Sequence, residues 1–272
     1  MRRKYSKFQG MKIVDHPSLR TFVEANLWAG RSPESISGRL SHHEADLPSV
    51  SADSIERFLA SPYGRQLEAH RTQLKRKQRA RRRRKRASVT SLSDRTFIDQ
   101  RPEIINARGR VGDVEADFIV SGKSGSGILL TVTDRKLRVS FIEKILPVTI
   151  KNVHAAFGRI RARYAELVTI TTDNDILLAR HKQLEALLGV KIYFCHPYHS
   201  WEKGTIENTN GVIRKTIPKG SDLSQYTRSF IATLETTLNG RYMKCLEYAT
   251  PDEALSRYRE EQKQKNAPDS AF

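Results

Sequence analysis

Asp117, Asp173 and Glu207 are the residues of this chain whose types and settings could do chemistry. Asp117 stands inside "VEADFIV", an apolar stretch that reads as a strand, and a buried strand carboxylate is costly without a partner or a cation. Asp173 closes "VTITTD", at a strand end, where sites form in open α/β sheets. Glu207 lies in "HSWEKGTIENTNG", a polar stretch flanked by glycines. Three carboxylates brought together repel and shift upward in pKa unless a divalent cation sits among them. An all-oxygen set with a few waters suits Mg2+ or Mn2+. On a helix, Gly204 and Gly211 share a face with Glu207. Interior glycines cost about 1 kcal/mol each against alanine, so two here point to a requirement for space beside the carboxylate. Lys203 and Arg214 fall on the open face of that helix, where phosphates could be met. Ile206, Ile213 and Ile217 form a separate stripe that packs on a sheet.

Other polar residues read more plainly. Asp134 belongs to a hairpin turn, "TDRK". Asp175 reads as a helix cap. Glu115, two residues before Asp117, shares its sheet face and reads either as a second acid behind the site or as a surface ion pair. Glu202 is expected to face solvent, and His199 could contact a phosphate or the nucleophile. Cys195, His196 and His199 lack the paired spacing of a zinc site.

The elements that must position these groups follow from periodicity. Strands are expected at "DVEADFIVS", at two segments around the turn Asp134 to Leu137, at "LVTITTD" and at "KIYFCHP". Helices are expected at "TIKNVHAAFGRIRARY", at "ILLARHKQLEALLG" closed by Gly189, at "WEKGTIENTNGVIRKTIP" and at "SQYTRSFIATLETTLN". A last helix begins at "TPDEAL", with Thr250 as N-cap and Glu253 completing a capping box. Three meandering strands, then strands alternating with helices, give an α/β mixed five-stranded sheet flanked by helices. Ahead of it, residues 17–61 carry three short amphipathic helices. Ser32 and Ser51 serve as caps, and Ser, Asp and Arg57 lie on the outer face of the third helix. This suits a small all-α helix-turn-helix domain.

The 272 residues carry a net charge of +18, and 38% are apolar. Residues 1–94 hold 21 Lys/Arg against 9 Asp/Glu. That asymmetry points to a polyanion-binding part, with nucleic acid the first candidate and an anionic membrane surface the second. The run from Arg71 to Arg86 includes Arg81, Arg82, Arg83 and Arg84 and no acid. It reads as a solvated tether, as a phosphate-binding arm, or as both. No apolar run is long enough to span a membrane, and the N-terminus lacks the apolar core of a signal peptide. Two cysteines, Cys195 and Cys245, suit a cytosolic chain with reduced thiols. The expected division is residues 1–65 for the helix-turn-helix domain, 66–94 for the basic linker, 95–260 for the α/β domain and 261–272 for a tail.

Between Asp173 and Glu207 lie 33 residues, and between Asp117 and Asp173 lie 55. With "SPESISGRL", "VEADFIV", "TTDND", "HPYHSWEKGTIENTNGVIRKTIPKGSDLS" and "LNGRYMKCLEYATPDEAL", this spacing resembles the bacterial insertion-sequence transposases of the IS-thirty group. Those carry an Asp-Asp-Glu triad on a ribonuclease-H-like fold, as in retroviral integrases. The resemblance implies metal-dependent phosphodiester hydrolysis at element ends, then 3′-OH strand transfer. Asp117, Asp173 and Glu207 become the catalytic metal ligands, for two Mg2+ or Mn2+ ions per active site. Asn208 and Asn210 become supporting residues, and Trp201 and Lys203 substrate contacts. It implies double-stranded DNA, at element ends and target, as partner, a homodimer or higher oligomer, no membrane, and a cytoplasmic, nucleoid-associated protein. Asp113 and Asp175 stand where the group usually has an aromatic residue and a glycine, and a further N-terminal DNA-binding segment usual in the group is not apparent. The rival readings are a non-catalytic DNA-binding regulator derived from such a transposase, and a structure-selective nuclease of the same fold.

Overall fold

The computed structural model describes residues 11–79, 95–196 and 200–266. Two compact units divide the chain, one drawn from residues 1–84 and 241–272 and the other from residues 85–240.

The first unit is all-α. It holds α1 (Lys12–Asp15), α2 (Pro17–Trp28), α3 (Pro33–His42), α4 (Ala52–Ala60) and α5 (Arg65–Arg79). The caps are those the sequence signals: Ser32 Oγ accepts from the Ser35 N–H and Ser51 Oγ from the Ser54 N–H, each contributing about 1 kcal/mol. Leu19, Val23, Leu27, Ile36, Leu40, Ile55, Phe58 and Leu59 close one core. Helix α5 runs on past residue 65, so the first part of the expected linker is helical. Its first turn is seated in the core by Leu67, and its backbone hydrogen bonds carry the helix on from there.

The same unit includes the segment after Gly240. Arg39 forms a two-pronged ion pair with Glu253 (2.9 and 3.0 Å). Arg31 and Arg39 both lie over the Tyr242 ring (4.1 and 4.8 Å). A Cβ at Gly38 would meet the Tyr248 ring at 2.3 Å, so this glycine allows the close approach.

The second unit contains α6 (Glu103–Asn106), β1 (Asp113–Val120), β2 (Ile128–Asp134), β3 (Ser140–Ile145), α7 (Ile150–Arg163), β4 (Thr169–Thr172), α8 (His181–Leu188), β5 (Lys191–Phe194), α9 (Gly204–Thr216) and α10 (Arg228–Asn239). The strands form one mixed sheet in the order β3-β2-β1-β4-β5. The first three are antiparallel neighbours, while β4 and β5 run parallel to β1. This is an α/β sheet flanked by helices, in the ribonuclease-H-like order. Gly189 closes α8 at φ 65°, a left-handed conformation that suits glycine. The expected single helix from Ile176 is divided. Asp175 caps a 3-10 turn, Ile176–Leu178, by accepting from the Leu177 N–H, and α8 begins only at His181.

A last helix, α11 (Pro251–Asn266), belongs to the first unit and crosses the boundary expected at residue 260 without a break. Its capping box is complete: the Thr250 N–H donates to Glu253 and the Glu253 N–H to Thr250 Oγ1.

Helix α9 is aligned along one face of β1 by two kinds of contact. Ile206 and Asn210 meet the strand's acidic positions: the Ile206 N–H donates to Glu115 Oε2 (2.8 Å) and Asn210 Nδ2 to Asp117 Oδ2 (2.7 Å). Ile213 and Ile217, fully buried, share a core cluster with Ile119, Leu129 and Leu234. Helix positions 206, 210, 213 and 217 form one face, and strand positions 115, 117 and 119 another.

Candidate active site

Parallel pairing sets the first two carboxylates level. Glu115 pairs with Thr171 across β1 and β4. Two residues further along each chain stand Asp117 and Asp173. The Lys203 ammonium lies between them, 3.3 Å from Asp117 Oδ1 and 2.8 Å from Asp173 Oδ1. Glu207, exposed on α9, is one helical turn beyond Lys203.

The charges of the site act on one another. Burial pushes the Asp117 carboxyl above its usual range; Lys203 opposes this and Asp173 adds to it. Glu207 is raised first by partial burial, with Lys203 again opposing and Asp117 and Asp173 adding. Burial works against the Lys203 ammonium, but the attraction of Asp117 and Asp173 outweighs it and holds its pKa up.

Supporting residues fix this geometry. Asn210 holds Asp117 Oδ2, and Thr131 Oγ1 lies 2.9 Å from Asn210 Oδ1 and 3.1 Å from the Asp117 carbonyl. For Glu115 one of the two expected readings holds. It is not a surface pair but an acid behind the site: it is buried, bonded to Arg135 Nε (3.0 Å) and to the first turn of α9. It therefore ties the helix bearing Glu207 to the strand bearing Asp117.

Two further expectations change for a common reason. Helix α9 begins at Gly204, after a 3-10 turn, Ser200–Lys203. Residues 202 and 203 thus lie outside the helical periodicity used to place them. Lys203 turns inward, 3% exposed, rather than onto an open face. Glu202 turns back to accept from the His196 N–H (2.9 Å) and to contact His196 Nδ1 (3.2 Å). His196 also pairs with Asp99 (2.8 Å) and stacks on Phe97.

Arg214 donates to the carbonyls of Val120 and Pro218 (both 3.3 Å). Asn208 is exposed beside Glu207, and Arg57 is exposed on α4. Space beside Gly204 and Gly211 is open, as their identity suggested, although Gly204 is the first residue of α9 rather than an interior one. Arg81, Arg82, Arg83, Arg84 and His199 lie outside the described residues, and so does the Trp201 side chain.

The two residue departures from the group's pattern are accommodated. Asp113, fully buried, accepts from Thr169 Oγ1 (2.6 Å) and pairs with Arg110 (2.7 Å). Asp175 is the cap described above. Asp134, read as a turn residue, accepts from the N–H groups of Gly112, Lys136 and Leu137 and from the Tyr164 hydroxyl. Sequence reasoning missed Arg95, which donates to Asn174 Oδ1 beside Asp173 and lies over Phe194. It also missed Arg101, bonded to Thr171 Oγ1 and Asn106. Neither has a local pattern that would have revealed it.

Among the described residues, no three His, Cys, Asp or Glu side chains stand close enough together to hold a metal ion as placed. The donor set nevertheless fits one by its chemistry. Asp117 and Asp173 present hard oxygens already arranged about a single cation, and a further carboxylate is electrostatically coupled to them. No helix among the described residues is long and apolar enough to cross a membrane.

The chain is 39% identical over 258 residues to the transposase for insertion sequence element IS4351 of Bacteroides fragilis, covering 93% of this chain and 76% of that protein. It is 37% identical over 164 residues to the transposase InsI for insertion sequence element IS30A of Escherichia coli, covering 60% of this chain and 42% of that protein. Among solved structures, the catalytic core domain of BIV integrase is similar at 14% identity and a TM-score of 0.43, covering 56% of this chain and 97% of that one. No family model matches the chain.

Proposed function

Since this chain belongs to the IS30 family of insertion-sequence transposases, we propose that Asp117, Asp173 and Glu207 form its Asp-Asp-Glu catalytic site for DNA cleavage and strand transfer. The supporting observation is the shared ammonium: two aspartates from adjacent parallel strands converge on one cation, with Glu207 coupled to both. The three carboxylates would hold divalent cations, Mg2+ or Mn2+, two per site. Bound there, such ions neutralise phosphate charge, lower the pKa of an attacking water or hydroxyl and stabilise the leaving oxygen.

The chain's own groups orient the reaction. Asn210 and Thr131 fix the plane of the Asp117 carboxylate. Glu115 sets the position of α9 and with it Glu207. Open space beside Gly204 and Gly211 leaves room for a DNA backbone to approach Glu207. Water attacks the phosphodiester at an element end, breaking its P–O3′ bond to leave a 3′-OH and a 5′-phosphate; that hydroxyl then attacks a second phosphodiester, forming a new 3′–5′ link and releasing the attacked strand's 3′ oxygen as a 3′-OH. Both steps are in-line displacements, so one set of groups serves both.

The all-α unit supplies DNA affinity and end recognition. Arg57 on α4, in a helix-turn-helix role, reads base edges, while Arg81 to Arg84 neutralise phosphates. In this reading Trp201 contacts the substrate and Asn208 supports the site beside Glu207. Two DNA ends require two sites, so the working form is a homodimer or larger, acting on double-stranded DNA at the bacterial nucleoid.

The test is a strand-cleavage and strand-transfer assay on labelled oligonucleotides bearing an element end, wild type against Asp173→Asn. Both steps are lost in the variant while DNA affinity is kept. Cleavage by neither form, with binding intact, would mark a DNA-binding regulator. Cleavage without joining of a pre-cleaved 3′-OH end would mark a nuclease.

A further inference from the structure

Lys203 is a charged residue at the centre of the site whose role the proposed chemistry leaves unassigned. Its side chain is 3% exposed, and its ammonium lies between two carboxylates. Those are the same oxygens, Asp117 Oδ1 and Asp173 Oδ1, that the catalytic reading gives to a divalent cation. One position between them cannot hold both cations. Resting on that reading, we propose that Lys203 is the resident counter-ion of the metal site: its ammonium holds Asp117 and Asp173 together before metal arrives, and leaves the gap when metal binds.

Three observations support an exchange rather than a fixed ion pair. The charge is incomplete, because one ammonium faces two aspartates with Glu207 coupled to them; a divalent ion answers that excess more fully. The backbone permits withdrawal. Lys203 lies outside α9, at its N-cap, so a change of its side chain breaks none of the helix's own backbone bonds. The carboxylate it leaves stays placed, since Asp117 Oδ2 is bonded to Asn210, not to Lys203. Neighbouring charges are already engaged: Glu115 by Arg135, Arg214 by backbone carbonyls, and Arg95 by Asn174 Oδ1 and the Asp175 carbonyl.

The consequence is an intrinsic competition that sets metal affinity. Without a cation the two aspartates would repel across the β1–β4 junction. With Lys203 in place the metal-free protein stays ordered there, at the cost of weaker metal binding. Lys203 is in this role a positioning residue.

Mn2+ binding to the full chain without DNA, followed by the electron paramagnetic resonance of free Mn2+, tests this directly. Lys203→Met binds Mn2+ about tenfold more tightly than wild type. In EDTA it melts at a lower temperature than wild type, and it gains more from added Mn2+. Lys203→Arg keeps the wild-type melting temperature in EDTA and binds Mn2+ no more tightly. Equal or weaker Mn2+ binding by Lys203→Met, with binding lost in Asp117→Asn, overturns the counter-ion role and leaves the metal site standing. Failure of the wild type and every variant to bind Mn2+ overturns the metal reading and this proposal with it. Should Lys203→Met not fold, lysine labelled with carbon-13 at Cε in the wild-type chain reads the same exchange. The Lys203 signal then moves as Mg2+ is added, and a signal that stays fixed while Mg2+ binds overturns the proposal.

Discussion

Removing the Glu115 carboxylate should unfasten α9 from β1. The side chain is 1% exposed and its partner Arg135 is 7% exposed, with Nε and Oε1 3.0 Å apart. The other oxygen accepts the Ile206 N–H at 2.8 Å. In Glu115→Ala the Arg135 guanidinium is left buried without its carboxylate, and breaking such a pair costs about 3–5 kcal/mol. The Ile206 N–H also loses its acceptor, a cost of about 1–3 kcal/mol on its own. The two losses share one group and do not add in full, so we expect about 4 kcal/mol. Domain stabilities are about 5–15 kcal/mol, so the variant folds but is weakened. Hydrogen exchange of the β1 and α9 amides measures this locally, and about 4 kcal/mol corresponds to roughly thousandfold faster exchange. Glu115→Gln combined with Arg135→Met, which removes both charges, should recover most of the loss. A cost below about 1 kcal/mol in Glu115→Ala would refute the reasoning, because it would mean that the pair is solvated.

Burial pushes the Cys195 thiol up to about 12, whereas Cys245 is exposed. Alkylation at pH 8 should therefore modify Cys245 and spare Cys195, as peptide mass spectrometry would show. Asp222 accepts from the Ser126 N–H, from the Ser224 N–H and hydroxyl, and from Gln225, and these bonds draw its carboxyl from 3.8 to about 2. A depressed carboxylate stabilises above its usual pKa and loses that contribution as pH falls through the folded value. The tie between residues 126 and 222 should thus persist at pH 3.5 and be lost near pH 2. A carbon-13 titration of Asp222 with a midpoint near 3.8 would contradict it. Asp173→Asn should abolish strand cleavage and leave DNA affinity, measured by filter binding, unchanged.

Much of the frame was legible because its signals are local. Short apolar segments between turns, the first of them alternating, marked the five strands, and Ser32, Ser51, Thr250 and Gly189 marked helix ends by local signals that need no distant partner. Asp117 and Asp173 were legible as candidates because one sits inside a strand among apolar neighbours and the other just past a strand end. What stayed hidden depends on contacts far apart in the chain. Glu115 meets Arg135 and Ile206 only once β1, β2 and α9 assemble. Arg39 and Glu253 are 214 residues apart. Lys203 and Glu202 were misplaced because a helical wheel was extended one turn too far. The 3-10 turn before Gly204 rotates both side chains out of the α9 periodicity.

The most direct measurement is the anomalous scattering of Mn2+ in crystals of the wild-type chain. A peak about 2.1–2.2 Å from oxygens of Asp117 and Asp173, with Glu207 drawn onto the same cluster and the Lys203 ammonium displaced, is the predicted result. Crystals saturated with Mn2+ in which Lys203 still bridges the two aspartates, with no peak between them, would contradict it.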